Sequence, residues 1–261
     1  MTLLKLATFN ANSIRVRLEQ ILAWLEREQV DILAVQETKV QDADFPRGEI
    51  EARGYHVAFR GQKSHAGVAL LSRTKPDEVI YGFDGEADRD EARLIRAHVA
   101  GIHVINSYVP QGRSIDDPVF QYKLAWYGRL RALLEQHYRS DDLLAWVGDL
   151  NVAPEERDLY DPKSNRDHVD FHPDVREAYA QAKSWGLVDV FRQHHPEEDG
   201  HYTYWDYRVR NAVDRNVGWR IDHILATPAL AKRSRGCWID VDARRAERPS
   251  DHTFLVASFE L

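Results

Sequence analysis

Cysteine is nearly absent from this sequence: Cys237 is the only one in 261 residues. A lone cysteine excludes an internal disulfide framework and fits a reducing cytoplasm. With no histidine beside it in sequence, Cys237 reads as a small core residue. Long apolar runs are missing as well. None approaches the roughly 18 residues of a membrane span, and Met1 to Ala7 is too short for a signal peptide, so no membrane association is expected. Excess positive charge is also lacking. The formal net charge of -7 and pI near 5.9 argue against a general nucleic-acid coat protein, though a local basic groove stays compatible with them. Lys232, Arg233, Arg235, Arg244, Arg245 and Arg248 crowd the C-terminal part, where a solvated face explains them. There is no repeat, low-complexity tract or linker. Residues 1–261 are therefore expected to form a single domain and a monomer.

Several chemistries lack their motifs. No Cys cluster or HExxH spacing points to zinc, no Ser-nucleophile elbow to covalent serine catalysis, and no GxxxxGK to nucleoside triphosphate hydrolysis.

What the sequence does have is a series of apolar runs that end in polar residues. Leu3 to Phe9 reads as a strand closed by Asn10, and Leu18, Ile21, Leu22 and Leu25 then follow helical spacing. Ile32 to Val35 runs into Gln36-Glu37-Thr38-Lys39. Tyr55 to Phe59 and Val68 to Ser72 are further strands, joined through the basic turn Arg60-Gly61-Gln62-Lys63, and Gly82 to Glu91 reads as an exposed acidic loop. Ala92 to Val99 alternates like a half-buried strand, Ile102 to Ser107 leads into Tyr108, and Phe120 to Tyr138 is helical with His137 at its end. Leu143 to Val147 reads as a buried strand that Gly148 ends, where a backbone or ligand approaches closely. If the chain stays extended, Asp149 and Asn151 emerge on one side. An Asx-turn ahead of the Pro154 loop explains the same two residues.

Ala153 to Asp174 is a polar loop long enough to suggest a functional role. A helix follows at Val175 to Trp185, an aromatic strand at Tyr202 to Tyr207, and a polar loop at Val209 to Val217. Trp219 to Leu225 reads as a strand carrying Asp222. A short helix near Pro228 to Ala231, a strand around Trp238 to Val241, Asp251-His252 and a last strand at Phe254 to Phe259 complete the chain. Strands outnumber helices without strict alternation, as in packed sheets flanked by helices.

Asn10, Glu37, Tyr108, Asp149, Asn151, Asp222 and Asp251-His252 all lie at strand ends or beside them, and a layered sheet protein can bring such ends to one rim. Glu37 and Asn10 offer a carboxylate and an amide oxygen, hard ligands for a Mg²⁺ that keeps waters and bridges to phosphate. Asp149 is placed to activate a water, Asn151 to orient it, and His252, if paired with an acid, to stabilise charge on phosphorus. Metal-assisted hydrolysis of a phosphate ester is the class left standing. Taken singly, each residue has a plain alternative: a turn for Asn10, a helix-start acid for Glu37, a packed aromatic for Tyr108.

Six segments in order then carry a resemblance: Gln36 to Lys39, Gly67 to Leu71, Asn106 to Gly112, Gly148 to Pro154, Gly218 to Asp222, and Ser250 to His252. Together they resemble the exonuclease III type of abasic-site endonuclease, within the endonuclease/exonuclease/phosphatase superfamily. The resemblance implies an α/β fold: a four-layer sandwich of two mostly antiparallel β-sheets between helices, with the site at one rim. It implies that Asn10 and Glu37 are principal metal ligands, and that a second metal position draws on Asp149, Asn151, Asp251 and His252. It gives Asp149 the attacking water, Asn151 transition-state stabilisation, Tyr108 the scissile phosphate, and His252 a pairing with Asp222. Tyr204, Trp205, Trp219 and Ile221 match a pocket for an extruded abasic sugar, with core packing as the alternative for the rings. Lys39, Arg113 and Asn165 match backbone-contacting loops. The expected activity is Mg²⁺- or Mn²⁺-dependent incision of duplex DNA 5′ to abasic sites in base excision repair, with trimming of blocked 3′ ends and 3′-to-5′ exonuclease action. A phosphatase or phospholipase-like hydrolase and a non-enzymatic nucleic-acid-binding regulator are the alternatives. One departure stands in the first motif, where Asn12-Ser13 replaces a run that commonly has Gly after its second polar residue.

Overall fold

Apolar residues that alternate along a strand face opposite sides of its sheet, and here both sides are buried. Leu4 and Leu6 point into one core while Ala7 and Phe9 enter another. Ile32 and Ala34 part from Leu33 and Val35 in the same way, as do Ala145 and Val147 from Leu144 and Trp146. Such runs require a layer on each face.

The structure is a computed structural model that describes residues 2–62, 65–84 and 92–261. Its first half comprises β1 (Leu3–Asn10), α1 (Ile14–Glu28), β2 (Ile32–Gln36), α2 (Arg47–Glu51), β3 (His56–Arg60), β4 (Val68–Ser72), β5 (Glu78–Tyr81), β6 (Leu94–Val99) and β7 (Ile102–Tyr108). The second half adds α3 (Pro118–His137), β8 (Leu144–Asp149), α4 (Pro173–Lys183), β9 (Val188–Asp189), α5 (Val190–His194), β10 (Asp222–Ala226), α6 (Pro228–Ala231), β11 (Ser234–Asp240) and β12 (Phe254–Glu260). They form two six-stranded sheets, ordered β11-β12-β1-β2-β4-β3 and β5-β6-β7-β8-β10-β9. Among the described residues, only β1 with β2 and β7 with β8 pair in parallel. The expected four-layer sandwich of mostly antiparallel sheets is what the chain forms.

One core fills the space between the sheets. A second lies between the first sheet and α1, and a third between the second sheet and α3 with α4. Asp117 caps α3 by accepting from the Val119 amide at 2.8 Å, with Pro118 at the first helical position. Just beneath the rim a polar stitch joins the sheets. Gln36 donates to Asn106 at 2.7 Å, and Asn106 donates to the Ala69 carbonyl at 2.8 Å. Cys237 is buried in the inter-sheet core, as its isolation suggested. No helix among the described residues is long and apolar enough to cross a membrane.

Several sequence expectations need correction. Ala92 to Val99 is buried on both faces rather than one, because α3 covers the side where polar residues were expected to meet water; Arg96 is only 2% exposed and reaches Asp84. Tyr202 to Tyr207 is not a strand. Tyr204 makes single bridges to Trp219 and to His252, so its aromatics are held by two partners and not by a ladder. The short elements α2, β5, β9 and α5 carry too few residues to show a period. Lys63 and residues 85–91, read as parts of a basic turn and an acidic loop, lie outside the described residues.

Candidate active site

Strand register alone brings the polar ends together. Asn10 is paired with Gln36 across β1 and β2, which puts Glu37 one residue beyond. Tyr108 lies opposite Asp149 in the parallel pair, and Asp149 lies opposite Asp222 in the antiparallel one. His252 precedes β12 and bridges Tyr204. Each apolar run therefore ends at the same rim, where the two sheets meet.

Gly148 has a reason to be glycine. Its φ is +138°, and a Cβ there would sit 1.9 Å from the Ser107 carbonyl oxygen, so what approaches closely is neighbouring backbone. After Asp149 the chain does not stay extended. Asn151 takes φ +50°, and its amide donates to Asp149 Oδ1 at 3.0 Å. The Asx-turn and the paired polar groups are thus one structure: the turn itself holds Asn151 beside Asp149. Asn151 then donates from Nδ2 to the Val109 carbonyl at 2.8 Å, which leaves its carbonyl oxygen as the group to face a water.

Left-handed backbone clusters here. Asn12, Ser13, Glu37, Lys39 and Asn151 all have positive φ, a conformation that side chains resist and that surrounding contacts must enforce. Ser13, at φ +95°, keeps a glycine-like path without glycine. Its neighbour Asn12 bridges two groups of the site, accepting from Lys39 Nζ at 2.5 Å and donating to Asp251 Oδ1 at 3.0 Å.

The centre is rich in carboxylates. Asn10 donates through one NH₂ group to Glu37 Oε1 and to Asp149 Oδ2, both at 2.8 Å, while its own oxygen accepts from the Asn12 amide. Asn10 thus stands where expected, yet it turns nitrogen rather than oxygen towards the acids and acts as a spacer between them. His252 Nδ1 pairs with Asp222 Oδ2 at 2.8 Å, and its Nε2 faces Asp149 Oδ2 at 3.8 Å. Burial opposes the imidazolium, but Asp222 and Asp149 prevail and push His252 up to about 10. Burial raises Asp149 well above the carboxylate range, with Asp222 and Glu37 adding to it against His252. Burial works in the same direction on Glu37, yet Lys39 at 2.7 Å and Asn10 outweigh it and hold Glu37 low. Tyr108 is pushed well up by burial and by the nearby Glu37 and Asp149, so its phenol remains a donor.

Glu37, Asp149 and His252 each offer a ligand atom within 4.8 Å of the others. Asp222 Oδ1 is buried without a hydrogen-bond partner. Two closely set carboxylates, one of them pushed up by burial, beside an imidazole form a donor set that a hard divalent cation would satisfy. Asp251 lines the same cleft.

That cleft encloses about 420 Å³. Tyr204, Trp219 and Ile221 line it, and so does Asn165, from a loop that the resemblance matched to backbone contact. Trp205 does not. It is 1% exposed and packs behind the wall with Tyr202 and Ala212, because the bridge at Tyr204 turns the next residue inward. Lys39 contacts Glu37 and Asn12 inside the site, while Arg113 projects into solvent, 3.8 Å from Asp117, outside the cleft lining. The structure adds His168, whose ring lies 4.7 Å from that of Trp219, together with Tyr160, Gln111 and Arg208. Only the length of the loop from Ala153 to Asp174 hinted at the first two.

With this geometry in place, comparison with known proteins is informative. Residues 7–252 match the model of the endonuclease/exonuclease/phosphatase family. The chain is 35% identical to exodeoxyribonuclease III of Haemophilus influenzae over 98% of its own length and 100% of that protein's. Among solved structures, an AP endonuclease from Archaeoglobus fulgidus is 49% identical, with a TM-score of 0.96 over 99% of this chain and 100% of that one. A 3′ phosphatase from Neisseria, bound to a product DNA hairpin, is 36% identical with a TM-score of 0.93, again over 99% and 100%.

Proposed function

The chain belongs to the endonuclease/exonuclease/phosphatase family, and from that premise we propose that it is a Mg²⁺-dependent DNA repair phosphodiesterase, with Mn²⁺ as a substitute. It incises duplex DNA 5′ to abasic sites, trims blocked 3′ ends and acts as a 3′-to-5′ exonuclease, as a monomer in the cytoplasm. The observation that carries this reading is the convergence of Glu37, Asp149 and Asp222 on a charged His252, beside a cleft walled by Trp219, Tyr204 and Ile221.

Glu37 and Asp149, with Asp251 at the margin, would hold the metal, which supplies charge neutralisation at the phosphate oxygens. Asp149 takes a proton from the attacking water as its oxygen bonds to phosphorus. Asn151, with its NH₂ engaged by Val109, orients that water through its carbonyl oxygen. The bond from phosphorus to the leaving sugar oxygen then breaks, and that oxygen takes a proton from solvent water. His252, kept charged by Asp222, and the Tyr108 phenol stabilise the negative charge that builds on the phosphoryl oxygens. Trp219 and Ile221 offer an apolar surface to a sugar that has no base to unstack, which favours an abasic site over an intact nucleotide. Lys39 and Arg208 add positive charge near the rim despite the acidic total.

The test is a panel of duplexes carrying one abasic analogue, a 3′ phosphate, a blunt end or no lesion, each with and without chelator. A chelator-sensitive cut 5′ to the analogue is expected. No such cut would sink the endonuclease reading, and release of phosphate from small esters in its place would favour the phosphatase alternative.

A further inference from the structure

We infer that His195, Glu198 and His201 form a second metal site, suited to a divalent transition ion such as Zn²⁺, that braces the wall of the cleft. These residues lie outside the catalytic centre, on the loop that follows α5. Glu198 sits between two imidazoles, with Oε1 3.1 Å from His195 Nδ1 and Oε2 2.8 Å from His201 Nε2. All three ligand atoms lie within 4.8 Å of one another, one of two such groups among the described residues. Donors about 2.0–2.2 Å from a tetrahedral ion stand roughly 3.5 Å apart, so small side-chain rotations close the site.

Two features make it a built site rather than a chance ion pair. First, His195 donates from Nε2 to the Cys237 carbonyl at 2.9 Å. In the neutral ring this fixes the tautomer and turns the Nδ1 lone pair towards a carboxylate oxygen, so two acceptors face each other across 3.1 Å. A cation between them resolves that conflict, and an outer carbonyl that orients a histidine ligand is the usual partner of a metal-bound imidazole. Second, the loop is held in shape independently of the triad. Arg192 donates from Nη1 to the carbonyls of His195 and Glu198, at 3.3 and 2.6 Å, and the His195 ring stacks on Phe191 at 4.4 Å. Ligands on a loop clamped by a buried guanidinium are already positioned before an ion arrives.

Two imidazoles and one carboxylate favour a borderline ion over Mg²⁺ or Ca²⁺, which prefer oxygen alone. The site's position gives it a consequence. Only Tyr202 and Thr203 separate His201 from Tyr204, whose backbone exchanges hydrogen bonds with Trp219 at 2.9 Å in both directions. Trp205 next donates its amide to the Asp251 carbonyl. An ion on His201 therefore tethers the segment that carries Tyr204 and supports Trp219 and Asp251.

The experiment titrates Co²⁺ into the full chain in excess Mg²⁺, reading visible absorption and the thermal midpoint. Wild type is expected to give a saturable ligand-field band and a higher midpoint. His201→Ala and Glu198→Gln are each expected to lose both responses while matching wild type in chelator and in Mg²⁺-supported DNA cleavage. Absence of the band in wild type, or its survival in both variants, would overturn the inference.

Discussion

Two charge clusters lie back to back across the segment Trp219 to Asp222, one with a surplus of acids and the other balanced. On the cleft side Glu37 pairs with Lys39, Asp149 and Asp222 flank His252, and Asp251 lines the same cleft. Behind it Asp158 and Asp189 meet Arg192 and Arg220. Arg220 pairs with Asp158 at 2.7 Å and with Asp189 at 2.9 Å, Arg192 also bonds Asp158, and Arg220 Nη1 donates to His223 Nδ1 at 3.1 Å. The rear cluster balances two carboxylates against two guanidinium groups, although Arg192 Nε and Arg220 Nη2 are buried without hydrogen-bond partners, and it ties together the loops that reach Glu155, Asp189 and Trp219. The front cluster keeps surplus negative charge beside an open cleft, and Asp149 within it is raised by burial and by its neighbours Asp222 and Glu37. Burial alone does not separate structural from reactive ion groups; an unbalanced cluster next to space does.

The contrast can be broken in several ways. The largest effect is expected at the front: Asp149→Asn and His252→Ala should each lower turnover by about 10²- to 10⁴-fold while leaving duplex binding in a gel-shift assay intact. Near-wild-type rates in either variant would remove that residue from the chemistry. At the rear, Asp158→Asn takes a carboxylate from two guanidinium groups, leaving Arg192 with carbonyl partners and Arg220 with Asp189, and should lower stability by about 3–5 kcal/mol in urea unfolding. If the change in midpoint is small, the cluster is not the tie described above.

Acid should act on the rear cluster too. Burial and Arg220 depress His223 to about 4, where its Nε2–H donates to the Val152 carbonyl and its Nδ1 accepts from Arg220. The folded state then binds fewer protons than the unfolded chain, whose histidine titrates near 6.5. Stability from this residue is complete above about 6.5 and falls as pH drops towards 4, by about 3 kcal/mol at the limit. Asp158, held at about 2 against burial by Arg220 and Arg192, extends the loss below the ordinary aspartate range as pH falls through 2. Unfolding midpoints measured from pH 7 to 4 should fall in wild type and fall less in His223→Gln. The smallest effect belongs to Ser13→Gly, which should raise stability by about 1 kcal/mol by relieving its positive φ; a loss would mean that the loop tolerates serine without strain.

The sequence showed the front cluster far better than the rear one. Asn10, Glu37, Tyr108 and Asp149 each close or follow an apolar run, and a strand's end is readable from where its hydrophobic residues stop, whereas Asp222 opens β10. Family resemblance joined them, since no spacing reveals that Asp222 lies opposite Asp149. The rear cluster had no such marker. Arg220 alternates with the cleft residues Trp219 and Ile221, but its partners come from a short turn at Asp158 and from the two-residue strand β9, elements that tertiary contacts create. His168 was hidden for the same reason, being placed by a loop whose shape depends on ties such as buried Lys123 to Asp170 and the Val169 carbonyl. Trp205 was misassigned because an aromatic stretch does not reveal which of its rings turns inward.

The most direct test compares the thermal midpoints of Asp149→Asn and Asp158→Asn with wild type in chelator, under one set of conditions. The charge contrast predicts that Asp149→Asn, which removes a repelled carboxylate, melts at or above wild type, while Asp158→Asn melts well below it. A fall in Asp149→Asn as large as that in Asp158→Asn would contradict it, since the front cluster would then be holding the fold together in the same way as the rear.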